Sequence, residues 1–123
     1  MGQGTFVHDG DAIDYTPGSA VASGDVIILD RVVGIATDDI AANALGALAV
    51  EGVFDVVKKQ EAITVGAAIY WDDDGNPYGG TASSGAATAT VSDALLGFAV
   101  AAAAETGSTV RVKINRAPLD LPT

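Results

Sequence analysis

The sequence predicts an all-β domain, a small barrel or sandwich of short antiparallel strands with at most one short helix. Three observations carry that expectation. Apolar residues recur with period two rather than 3.6. Clusters of Asp, Gly, Ser and Asn interrupt the apolar runs at moderately regular spacing, as strand-joining turns do. The apolar content is light: 49% of residues are hydrophobic, but 23 of the 123 are Ala, 15 are Gly, and aromatics make up 6%. Such side chains suit thin β layers better than a large ligand cavity.

In chain order, residues 11–16 alternate and form the first predicted strand. Val26–Leu29 and Val32–Ala36 are β-branched runs bounded by turns, expected as strands covered on both faces. Residues 38–48 offer a turn or two of helix, with Asp38 or Asp39 as N-cap, which Gly46 stops. Residues 46–57 read as one long strand with a bulge or bend at Gly52. Residues 67–71 and 95–100 are two further strands, and the Ala run 101–104 is expected to continue the latter. Residues 109–115 alternate without error, placing Val110, Val112 and Ile114 inward and Arg111 and Lys113 outward.

An echo links the two halves. A Gly turn, a strand, and an apolar–Gly–apolar–Ala strand occur at residues 23–36 and again at 65–99. Gly34 follows Gly24 by 10 positions and Gly97 follows Gly66 by 31, so the second connection is longer by 21. It contains the low-complexity stretch 79–88, a segment with too little apolar bulk to be rigid alone.

The length fits one domain over residues 1–123, with a core at about 6–115 and arms at 1–5 and 116–123. Absence of Cys excludes a disulfide scaffold, a thiolate metal site and a Cys nucleophile. With 16 acidic against 6 basic residues the net charge is −10, which repels phosphate backbones, and the cations are scattered. Nucleic acid is not an expected partner. Nor is a membrane: the start lacks a signal-peptide pattern and the longest apolar run, 94–104, is far short of a span. A soluble protein made in the cytoplasm is expected.

Candidate chemistry is sparse. Asp72-Asp73-Asp74-Gly75-Asn76 lacks the ligand spacing of a calcium loop and reads as a solvated hairpin turn. His8, the single histidine, has no nucleophile pattern beside it and reads as a surface residue near a turn. The glycines around Gly79 match neither a Walker loop nor a dinucleotide fingerprint. Trp71, Tyr70 and Tyr78 offer a stacking face for a sugar or peptide, against which stands the need of a small core for aromatics. No enzyme, cofactor or metal is expected.

The order of motifs resembles a known family. Residues 6–11, 23–27, 33–36, Leu48-Ala49-Val50-Glu51-Gly52-Val53-Phe54, Ile69-Tyr70-Trp71-Asp72 and 96–100 are similar to the tailed-phage capsid decoration, or cement, proteins, formerly a domain of unknown function encoded near the major capsid protein. The resemblance covers residues 6–115 and rests most on Ala49–Phe54 and Tyr70–Asp72. It departs at Ala41-Ala42-Asn43-Ala44, where a Gly-containing turn is usual, and in the tail 116–123, which runs past the usual end. It implies an all-β fold, homotrimers, binding to the major capsid protein on the outer surface of the phage head, and stabilisation of the capsid without catalysis. The rival expectation is a trimeric carbohydrate- or cell-surface-binding module displayed on a virion. The capsid or subunit contacts expected from the chain itself lie in its apolar, aperiodic ends: Thr5, Phe6 and Val7 at the start, Leu119 and Leu121 between the prolines of the tail.

Overall fold

In the computed structural model, which describes residues 3–117, the chain forms two antiparallel sheets and no helix. The strands are β1 (Ala12–Tyr15), β2 (Val26–Leu29), β3 (Val32–Ala36), β4 (Gly46–Ala49), β5 (Val53–Val57), β6 (Ala68–Asp72), β7 (Ala86–Thr88), β8 (Ala94–Ala99) and β9 (Thr109–Ile114). The first sheet runs β1-β4-β3-β2 and the second β5-β9-β8-β6-β7. A single parallel bridge joins Lys58 to Ala87 at the ends of the second sheet, which does not close into a barrel. The sandwich expectation holds.

The main core lies between the sheets. Val33 and Ile35 of β3 meet Val56, Ile69, Trp71, Leu96, Val110, Val112 and Ile114 of the second sheet. The three β9 residues are buried and Arg111 is exposed, as their alternation requires. The alternate β3 residue Ala36 packs with Val21, Ile40 and Leu48 in a smaller cluster on the other face. Val33 to Ala36 are therefore buried from both sides, as a continuous apolar run expects, whereas β2 at the sheet edge is half-buried throughout.

The echo between the halves is present in the hydrogen bonding. Ile27 is paired with Gly34 in the first sheet and Ile69 with Gly97 in the second. Gly24 N donates to Ala36 O at 2.6 Å, and Gly66 N donates to Ala99 O at 2.7 Å. Isolated bridges Val21–Ile40 and Ile63–Ala103 flank the two hairpins at matching distance. The outer pairs match too: Val50 N donates to Asp11 O, and Ile114 N to Gly52 O. Each half thus uses one four-strand plan, β1-β4-β3-β2 matching β5-β9-β8-β6, and β7 is extra. A bulge between Ile69 and Tyr70 marks where the second hairpin departs from the first.

Three expectations need correction. Residues 46–57 are two strands in different sheets, because Gly52 adopts φ +125°, where an L-residue is strained, and the chain changes layer there. Residues 38–48 form an isolated bridge at Ile40, a turn at Asn43 (φ 63°) and the start of β4 rather than a helical turn; Ile40 is drawn into the small core. The run 101–104 does not extend β8, which ends at Ala99, and touches the ladder only through Ala103.

Asn115 clips the layers together. At φ 56°, a conformation Asn tolerates, its Nδ2 donates to Val33 O (2.6 Å) and Val50 O (2.8 Å), while Oδ1 accepts from Val33 N (3.1 Å). One side chain following β9 thereby ties down β3 and the end of β4.

Candidate functional site

Residues 3–10 precede β1 without joining either sheet, and Phe6 and Val7 are 81% and 80% exposed. Two consecutive large apolar side chains left in water are a feature of contact surfaces rather than of a closed domain. Thr5 is exposed beside them. Leu119 and Leu121 lie outside the described residues.

A second feature is a cleft of about 710 Å³ at one side of the sandwich. Val26 and Ile27 of β2 form one wall, Phe54 and Val56 of β5 another, and Trp71 and Tyr78 stand among its lining residues. Asp25, Asp55 and Asp73 also border it. Asp55 is held by Arg111, whose Nε donates at 2.9 Å and Nη2 at 3.1 Å to its two oxygens. The guanidinium hydrogen bonds keep the Asp55 carboxyl below the usual aspartate range and raise Arg111 in return. Both groups face solvent, so the pair orients side chains more than it adds stability.

The three aromatics do not share one face. Trp71, 7% exposed, belongs to the core, and its neighbour Tyr70 projects from the opposite side of β6. Tyr78, in the insert before β7, shares the lining of the cleft with Trp71 but not with Tyr70.

The acidic stretch is a turn, with Gly75 N donating to Asp72 O at 3.1 Å. Asp93 joins it from the start of β8 and accepts from Asp73 N at 2.9 Å, so oxygens of Asp72, Asp73, Asp74 and Asp93 gather within 4.8 Å of one another. Lys59 Nζ pairs with Asp72 at 2.8 Å. That contact holds the Asp72 carboxyl low, while Asp93 pushes Asp73 up and Asp72 pushes Asp74 up. The signs oppose one another. A carboxyl raised in the fold binds its proton more tightly than in the unfolded chain, so Asp73 and Asp74 favour the fold as pH falls into their range and disfavour it above. Asp72 does the reverse, its contribution being lost on acidification. Replacing Asp93 by Asn keeps an acceptor for Asp73 N and removes the charge; Asp73 is then expected to titrate lower, towards ordinary aspartate, in an NMR pH titration. An unchanged Asp73 would contradict the assigned cause.

One polar group escaped sequence reading. Lys58 is 0% exposed, and its Nζ donates to Glu61 O (2.6 Å), Lys59 O (3.1 Å) and Glu105 O (3.4 Å). It holds the 58–61 turn against the 104–107 turn, using the three donors an ammonium offers. The signal was available: Val56 points inward on β5, so period two places Lys58 on the same face. Glu61 in turn accepts from Thr88 Oγ1 at 3.1 Å and from Ala89 N, fixing the end of β7.

Two light sheets, an exposed apolar segment before β1 and a formal net charge of −10 define an acidic β-sandwich. The model of the phage cement protein family matches residues 7–114, and the chain belongs to that family. Membership associates it with the phage capsid as a structural protein. No curated protein and no solved structure matches the chain.

Proposed function

We propose that this single-domain protein binds the outer surface of a phage head as a homotrimer, contacts the major capsid protein, and stabilises the capsid lattice without catalysing a reaction. The observation that carries the reading is the family match, which spans all nine strands. The composition agrees with it: a strongly acidic protein is repelled by the packaged genome and suits the outside of a shell. The mechanism is mass action. A protein that binds the expanded shell and not its precursor stabilises the expanded form by its own binding free energy. Three linked copies turn weak contacts into a firm grip when all can engage together.

Thr5, Phe6 and Val7, with Leu119 and Leu121 of the tail, are the proposed contact residues. Each leucine contributes about 1.5–3 kcal/mol if it passes from water to full burial. Co-sedimentation of the protein with phage shells, before and after expansion, tests the reading. Binding to expanded shells is expected, weakened on deletion of residues 117–123; failure to sediment with either shell would overturn it.

A further inference from the structure

We propose that residues 3–7 of one copy add as a fifth strand along the open edge of β2 in a second copy, with Phe6 entering the cleft between β2 and β5. The inference rests on the trimeric reading above and specifies how its subunits are joined.

The equivalence of the two halves carries the argument. In the second sheet the edge of β6 is covered by β7, antiparallel, with Tyr70 paired to Thr88, Trp71 to Ala87 and Asp72 to Ala86. Counted along the strand from the matched residues Ile27 and Ile69, those β6 positions fall on Ile28 and Leu29 at the end of β2 and on the turn residue Asp30, just past the point where the bulge shifts the β6–β8 register. There β2 ends its sheet, and no strand among the described residues covers it. The fold therefore shows on one half how the other half's edge is to be covered. An open edge offers unpaired N–H and C=O groups to an extended segment.

The occupant follows from chemistry and placement. Residues 3–7 form no ladder of their own, expose Phe6 and Val7, and are long enough to run along 26–30. Residues 1–8 contain no acidic side chain, whereas Asp9, Asp11 and Asp14 follow and Asp120 lies in the tail. The cleft is bordered by Asp25, Asp55 and Asp73, so the start of the chain meets least repulsion there. Its apolar wall of Val26, Ile27, Phe54 and Trp71 suits the Phe6 ring. In its own subunit the segment leaves from β1, at the opposite edge of the sheet from β2. Exchange between copies around a threefold axis gives the β2 edge of every copy a partner in a closed ring.

The experiment uses free protein without shells. Solution mass and backbone hydrogen exchange are measured across concentration for the native chain, for Phe6→Asp, and for a full-length chain with residues 3–7 replaced by Gly and Ser. The native chain is expected to assemble, and its residue 26–30 amides to exchange about tenfold more slowly once assembled. Both variants are expected to remain folded monomers with fast exchange there. Assembly that survives in the variants, β2 exchange indifferent to assembly, or a native chain monomeric at millimolar concentration would each overturn the proposal. Binding to shells, measured separately, then shows whether the capsid reading survives without it.

Discussion

Replacing Trp71 by alanine is expected to destabilise the fold by about 3–5 kcal/mol, the cost of emptying a large aromatic site in a packed core. The side chain fills the space between the sheets and is also the floor on which the insert rests. A Cβ added at Gly85 would come within 2.6 Å of Trp71 Cζ2, so the loop lies directly on the indole. Gly85 N donates to Gly75 O at 3.0 Å and Ser83 N to Asn76 Oδ1 at 2.7 Å, closing the insert over the ring. Truncation therefore leaves a cavity and removes the support of residues 75–85. Since a domain of this kind is stable by roughly 5–15 kcal/mol, the loss takes a large fraction of the total. Urea unfolding should show a lowered midpoint with a similar slope, and rapid exchange through the insert. A loss below about 1 kcal/mol would mean that Trp71 is not the centre of the core.

Gly97→Ala is expected to cost about 3 kcal/mol, at the upper end of overpacking penalties. The Cβ would run into the carbonyl oxygen of Lys113 and lie 3.0 Å from Ile114 Cα, both backbone atoms of β9. Neither can yield without opening the β8–β9 ladder. Gly34, its counterpart in the first half, provides the internal control. A Cβ there comes nearest to the Leu48 side chain, Cβ at 2.7 Å and Cδ1 at 2.8 Å; Cδ1 can rotate away, and Cβ yields with a small shift of β4. Gly34→Ala should cost less, about 1–2 kcal/mol. Equal losses in thermal unfolding would contradict the distinction between backbone and side-chain obstruction.

The strands were legible where alternation was long and clean. Residues 109–115 announce both the strand and its buried face, because each of three β-branched residues is separated by a polar one. The repeated Gly turns and Gly-centred strands likewise reported the shared hairpin register, because each half leaves no room for a Cβ at that position, although a side chain blocks it at Gly34 and backbone at Gly97. The sheet change at Gly52 was not legible: period two says which face a residue takes but not which sheet its strand joins. β7 was missed for another reason. Ala86 and Ala87 are buried and small because they share space with Trp71 and the β5 end, so their composition mimics a flexible loop. Of the contact surface, the exposed apolar start was visible in the sequence. The cleft was not, since its walls come from β2, β5 and the insert, which only the three-dimensional fold brings together.

Binding of this protein is expected to strengthen a shell. The most direct measurement is the temperature at which expanded phage heads lose their integrity, with and without saturating protein, followed by release of packaged DNA or by shell light scattering. Because a ligand specific to the intact lattice adds its binding free energy to it, the disruption temperature should rise, and rise further with concentration above half-saturation. Saturated heads that break at the same temperature as bare ones would contradict a cementing role, even if the protein binds them.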